Sequence, residues 1–407
     1  MRVLQINAVN KTGSTGRNVF EIVQYMNEHG DEGFVATAVA GGEEQEYVIG
    51  TQYDHKIHAL LSRVTGYQAC FSSCATKCLI RYIKQIKPDV VHINNVHSNY
   101  IHLSILLGYL AEMDIATVVT LHDCWFYTGH CFHYTLMECD KWKTGCSRCP
   151  QIHDGNASWF FDTSGQMWTK KKSAFEKIPR LAVVGVSDWI TDEARQSFLR
   201  TAKIIQRVYN WVDIDIFHPV TREKIQEKKI QYQLKDKYII LGVASQWDEK
   251  KGFGKFLELS ELLNEDEQIV LVGEVPENSV VSENITLIPK TESVEMLAEI
   301  YGMADVFVTF SKEESFGKVS AEALSCGTPV ICYNATANPE LVGKECGIVL
   351  NQDSMADVQM AIAMIRRKGK AFYSENCRSW AGKQFAMDKC IEQYMDIYRR
   401  LIEMKKE

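Results

Sequence analysis

The chain has 407 residues, 46% of them apolar and 24% charged, which is the balance of an ordinary soluble protein and enough length for two α/β domains. That composition excludes a collagen, a coiled coil and a disordered tail. The formal net charge of −7 lies wholly in the second half: the first 205 residues carry 20 Lys+Arg against 20 Asp+Glu, the rest 25 against 32. An acidic total without an extended basic face argues against a module that binds nucleic acid.

The opening MRVLQINAVN has too short an apolar run for a signal peptide and reads as a first buried strand. A loop, Lys11-Thr-Gly13-Ser-Thr-Gly16-Arg17, follows it and precedes a helical pattern over 18–29, so Gly13 and Gly16 would let backbone approach a ligand. A second strand is predicted over 35–39. Residues 55–87 then hold six cations, Lys56, Arg63, Lys77, Arg81, Lys84 and Lys87, and no acid. Mixed with Leu60, Leu61, Tyr67, Phe71, Leu79, Ile80, Tyr82 and Ile83, they suit either a contact with an anionic membrane or a core-facing helix with a solvated outer face. Within the helical pattern over 70–86, Cys70, Cys74 and Cys78 recur every four residues and read as small buried hydrophobes.

Strands follow over 90–93 and 117–121. The apolar stretch 101–121 is broken by Glu112 and Asp114, short of the ~20 apolar residues a spanning helix needs. A cytoplasmic location is expected. His122 and Asp123 stand where a strand ends and a functional loop should begin. The loop after them carries Cys131, Cys139, Cys146 and Cys149, and a Cys-x2-Cys knuckle with two further cysteines suits one structural zinc. His130 and His133 are alternate ligands, and four reduced thiols are the plain alternative. The thirteen cysteines, an odd number, otherwise argue for reduced thiols over a disulfide framework.

Further strands are predicted over 182–186, 239–243, 269–272, 285–288, 306–309 and 329–332. Strands spaced by helices imply parallel sheets, with ligands at the carboxyl ends of the strands. The best domain boundary lies at 209–219, followed by a charged, helical connector over 222–237. Lys250 and Lys251 precede Gly252 just beyond the strand 239–243. After the strand 306–309 comes Glu314-Ser-Phe-Gly-Lys-Val-Ser-Ala-Glu322, where Gly317 opens a helix whose free N–H groups make a phosphate site. A carboxylate such as Glu314 or Glu322 can accept two hydrogen bonds from a vicinal diol. The last helical pattern, 385–404, puts Phe385, Cys390, Tyr394, Ile397, Tyr398 and Leu401 largely on one face, which needs a surface to pack on.

Glu314 and Glu322, within SFGKVSAEALSCGTPVI, match the E-x7-E motif of glycosyltransferase family 4, and the chain resembles that family from first strand to last helix. The resemblance implies an α/β GT-B fold, two Rossmann-like parallel-sheet domains facing across a cleft. An N-terminal acceptor-side domain would span 1–212, a nucleotide-sugar-binding domain 213–384, and a helix over 385–407 would return to the first domain. It also implies a retaining hexosyltransferase that moves a hexose or N-acetylhexosamine from a UDP- or GDP-sugar to a saccharide or lipid-linked saccharide. The setting would be capsule or exopolysaccharide synthesis, in the cytoplasm or peripheral at the inner face of the membrane. A nucleotide-sugar epimerase or hydrolase shares the architecture.

By the same resemblance Glu314 contacts the donor sugar, Glu322 the ribose, Lys251 the diphosphate and His122 the transferred sugar. Ser315, Phe316, Gly317, Lys318, Gly13, Gly16 and Arg17 line the donor side, and catalysis needs no metal or other cofactor. Asn210 and Asp213 match the hinge segment, in which Trp211 replaces the usual glycine. Gln246 stands where the family has an arginine, so Lys250 or Arg17 would have to neutralise the second phosphate.

Overall fold

The computed structural model describes residues 1–42, 46–277 and 279–405. The chain divides into one unit of Met1–Val208 with Ile391–Glu407, and another of Tyr209–Cys390.

Among the described residues the first unit holds seven strands: β1 (Arg2–Asn7), β2 (Glu32–Thr37), β3 (Glu46–Val48), β4 (Val90–Ile93), β5 (Ala116–Leu121), β6 (Leu181–Gly185) and β7 (Ile204–Arg207). They form one parallel sheet in the order β3-β2-β1-β4-β5-β6-β7. β4 and β5 are buried at every position, as a sheet covered on both faces demands, and this is why their sequences are rich in β-branched residues. The helix Met387–Glu403 covers part of this sheet. Ile391, Tyr394, Ile397, Tyr398 and Leu401 are buried, and the Tyr398 hydroxyl lies 3.0 Å from Gln5 Nε2 and 2.7 Å from His92 Nδ1.

The second unit holds β8 (Tyr238–Gln246), β9 (Glu267–Glu274), β10 (Ile285–Ile288), β11 (Val306–Thr309), β12 (Val330–Tyr333) and β13 (Gly347–Leu350). Their order is β10-β9-β8-β11-β12-β13, again all parallel. In each sheet the strand order reverses once, between β1 and β4 and between β8 and β11. In open parallel sheets such reversal points are where loops diverge and ligands bind, at the carboxyl ends of the strands. The connector helix is shorter than expected, Arg222–Gln231.

The cysteines at 70–78 do not form a buried face. The helix begins only at Ser73, Cys74 is exposed, Cys70 and Cys78 are half-buried, and the buried positions are Ala75, Thr76, Leu79 and Ile83. The four-residue period placed the thiols beside the core-facing stripe, not on it. No disulfide links any described cysteine.

Two buried histidines of the first unit set an expected acid sensitivity. Burial holds His92 neutral, with its pKa pushed down to about 3, and the neighbouring His122 adds to the shift. His58 is pushed down to about 4 by burial, then by His102 and His55. Both folded values lie below the ordinary 6.5, so their contribution is complete above that pH and is lost as pH falls towards 4 and 3. The loss is at most about 1.4 kcal/mol per pH unit for each histidine. Urea midpoints at pH 7, 6 and 5 should fall steadily; a flat series would contradict it.

Candidate active site

The second sheet's reversal point gathers the predicted donor residues. β8 ends at Gln246, and a turn follows in which Asp248 Oδ1 accepts the Lys251 N–H at 2.7 Å. Gly252 then adopts φ 79°, and a Cβ there would stand 2.3 Å from Phe310 Cβ, just past the end of β11. Only glycine allows this approach, and it brings the turn of β8 against the loop of β11. Lys251 Nζ accordingly lies 2.5 Å from Glu314 Oε1. The lysine side chain is 42% exposed and the glutamate 17%, so the pair borders solvent and its charges remain available to a ligand.

The loop holding Glu314 is built from outside its own sequence. Thr336 Oγ1 accepts the Glu314 N–H at 3.0 Å, Ala337 N–H donates to the Glu314 carbonyl at 3.2 Å, and Asn338 Nδ2 donates to the Ser311 carbonyl at 2.7 Å. Phe316 is buried between Tyr209 and Phe385, with ring centres at 5.9 and 5.6 Å, so it anchors the loop by packing. Ser315 is buried as well.

Gly317, at φ 90°, caps the helix Lys318–Ser325 without a side chain of its own, and Gly252 does the same for Phe253–Ser260. Elsewhere Thr51, Ser187, Ser293 and Ser354 cap helices with their own oxygens. Two helix ends carrying partial positive charge thus start at the reversal point beside a lysine, a setting that favours phosphate.

Glu322 sits a turn inside that helix, buried, with Oε2 accepting from the Tyr301 hydroxyl at 3.1 Å. Lys318 lies half-buried at the helix's first position. Gln246 is exposed, and its amide lies 3.3 Å from Glu274 Oε2; Lys250 is exposed on the turn. Nearby, Asp353 bonds Lys312 at 2.6 Å and Tyr333 at 2.7 Å, and the Lys312 ammonium holds its carboxyl down to about 2.

In the first unit the loop after β1 leads into the helix Gly13–Glu28, again without a side-chain cap. Gly13 is exposed, Gly16 is buried against Val9, and Arg17 is half-buried. His122 follows β5, with Nε2 3.1 Å from Asn94 Oδ1, and Asn94 Nδ2 donates to Gln5 Oε1 at 3.0 Å. Asp123 pairs with His97 at 3.0 Å. Burial alone would raise its pKa, but His97 and the Trp125 N–H hold it below the usual range. In the hinge segment Asn210 is buried, and Asp213 Oδ1 accepts the Asp215 and Ile216 N–H groups at 3.0 and 3.2 Å.

Cys131, Cys139, Cys146 and Cys149 line one small cavity of about 20 Å³, with His130. The Cys131 thiol donates to the Cys149 sulfur, which lowers the Cys149 pKa, and Gly129 N–H donates to Cys146 Sγ at 3.2 Å. Among the described residues no three His, Cys, Asp or Glu converge as ligands around a metal. His130 has Gln68 and the Asp154 carbonyl at its two ring nitrogens, and His133 stacks on Trp189. Nor is the loop coreless: Trp142 is fully buried, 5.0 Å from both Tyr127 and Tyr134.

Two family models match the chain, "Glycosyltransferase Family 4" over residues 15–216 and "Glycosyl transferases group 1" over 224–371. The chain belongs to glycosyltransferase family 4. This family 4 enzyme is 27% identical to an N-acetyl-alpha-D-glucosaminyl L-malate synthase of Bacillus anthracis, over 53% of this chain and 58% of that one. It is 22% identical to the putative colanic acid biosynthesis glycosyl transferase WcaC of Escherichia coli K12, over 77% of each. The structure of Anabaena HepE in complex with UDP superposes with a TM-score of 0.67 at 14% identity, covering 97% of this chain and 99% of that one. The two parallel sheets are those of the GT-B fold.

Proposed function

We propose that this glycosyltransferase works in polysaccharide biosynthesis, moving a hexose or N-acetylhexosamine with retention from a UDP- or GDP-sugar to a saccharide carried on a lipid. The observation that carries the donor half is the Lys251–Glu314 pair beside two helix starts with glycine at the cap, at the reversal of the second sheet. Cation and helix ends would stabilise the charge that builds on the leaving diphosphate, with no metal required. Glu314 would then face the sugar and Glu322 the ribose. His122, held by Asn94, would contact the sugar from the first unit's residues.

HepE's structures with UDP and UDP-glucose support a uridine donor, and the WcaC likeness supports a polysaccharide product. No described helix is long and apolar enough to cross a membrane, so a lipid-linked acceptor would be met at the surface. The test is a donor screen by nucleotide release, run with and without saccharide acceptors.

A structural zinc in the cysteine loop is part of the same proposal, supported by four thiols on one cavity. Holding it would require the thiols to lose their protons and draw together. Protein purified without added metal should contain about one zinc per chain; metal-free protein with four titratable thiols in the loop would refute it.

A further inference from the structure

Polar side chains interrupt the core where the helix Met387–Glu403 lies on the first sheet. Gln5 of β1 and His92 of β4 are register partners and share one face of the sheet. Both are fully buried, as are Thr120 of β5 and Tyr398 of the helix. Apolar residues would hold a helix on a sheet without the cost of a buried polar group that lacks a partner. Here every one is bonded, and the bonds run in one line. Gln5 Nε2 and His92 Nδ1 both meet the Tyr398 hydroxyl, at 3.0 and 2.7 Å, and His92 Nε2 lies 2.7 Å from Thr120 Oγ1. In the other direction Gln5 Oε1 accepts from Asn94 Nδ2 at 3.0 Å, and Asn94 Oδ1 lies 3.1 Å from His122 Nε2. The line thus starts in the core beneath the helix and ends on the histidine that follows β5.

Each bond in the line dictates the direction of the next. A carboxamide oxygen only accepts and its nitrogen only donates. Gln5 Nε2 donates to the Tyr398 oxygen, so the single phenol hydrogen is left for His92 Nδ1. His92 is neutral, because burial and then His122 push its pKa down to about 3, so its one proton sits on Nε2 and donates to Thr120. At the far end Asn94 offers His122 an oxygen, and that bond requires a proton on His122 Nε2. Reversing it would mean turning both carboxamides and moving the His92 proton in one event, since each group donates on one side and accepts on the other.

We propose that Gln5, Tyr398 and His92 are positioning residues for the transfer reaction: through Asn94 they hold His122 as the tautomer that carries its proton on Nε2 and its lone pair on Nδ1. The inference rests on the proposed contact of His122 with the transferred sugar and deepens it, because a hydroxyl that meets Nδ1 must then donate its hydrogen. It also gives the helix Met387–Glu403 a part in the chemistry besides covering the sheet.

The test reads tautomer and turnover separately. In full-length protein with isotope-labelled histidine, at about pH 8 where ordinary imidazoles are neutral, the His122 ring signals are those lost in a His122→Asn variant. Nitrogen NMR should show the wild-type proton on Nε2. Gln5→Met and Tyr398→Phe nearly keep side-chain volume but cut the line. Each should give ring signals averaged between the two tautomers and lower kcat about tenfold with whichever nucleotide sugar serves as donor. In the His122→Asn background the same two changes should cost nothing further, because their effect passes through the imidazole; a purely structural loss would persist there. A wild-type proton on Nδ1, an unchanged tautomer in both variants, or losses that add fully to that of His122→Asn would each overturn the proposal. Wild-type turnover by His122→Asn would remove the sugar contact, a separate failure, and the ring signals alone would then decide the line of bonds.

Discussion

Lys251→Ala is expected to lower turnover ten- to a hundredfold, about 1.4–2.8 kcal/mol of transition-state stabilisation. As the bond to the sugar breaks, negative charge grows on the diphosphate, and a preorganised cation there gains interaction energy as the reaction proceeds. Lys251 is positioned for this by backbone: its N–H is tied to Asp248 and its neighbour Gly252 is pressed on Phe310. Removing the ammonium also leaves the Glu314 carboxylate without this counter-charge, so the same change withdraws attraction and adds repulsion towards the phosphates. Stability should hardly move, because the lysine side chain is 42% exposed and such pairs contribute little. Steady-state kinetics should show the loss mainly in kcat, with Lys251→Arg recovering part of it; wild-type rates for the alanine variant would sink the assignment.

Glu322→Ala should cost a similar ten- to hundredfold, about 1.4–2.8 kcal/mol, with the penalty showing first in the donor KM. Here folding and function are entangled, because the Tyr301 hydroxyl that donates to Glu322 is fully buried and would lose its acceptor. An orphaned buried donor costs about 1–3 kcal/mol of stability. Glu322→Gln separates the two effects: the amide oxygen still accepts from Tyr301, so the melting temperature should recover while donor binding stays impaired. If Gln restored both, Glu322 would be a structural acceptor for Tyr301 and no ribose ligand.

The parallel sheets were legible because their central strands are buried on both faces and therefore read as short runs rich in apolar and β-branched residues, as at Val90–Ile93 and Val306–Thr309. β3 and β7 were not foreseen. Each closes an edge of the first sheet, and Glu46–Val48 and Ile204–Arg207 are short and only partly covered, so burial leaves a faint mark on them. β13, at the edge of the second sheet, escaped for the same reason.

The motif residues Glu314, Gly317 and Glu322 stand in one segment of eight-residue spacing, which sequence displays directly. Their supports do not. Thr336, Asn338 and Tyr301 reach the site through the ends of other elements, and nothing local marks a threonine as the acceptor for a backbone amide 22 residues away. Periodicity took the basic segment 55–87 as a whole and could not show that Gln52–Thr65 turns His58 and Ser62 inward.

The central claim is glycosyl transfer from a nucleotide sugar, and the most direct measurement follows the wild-type enzyme with UDP- and GDP-sugars, one at a time, with saccharide acceptors present or withheld. Nucleotide release should require both substrates, and the product should be a new glycoside whose anomeric configuration, read by NMR coupling constants, equals that of the donor. Release at the same rate without any acceptor, or an isomerised donor with no glycoside formed, would contradict the account.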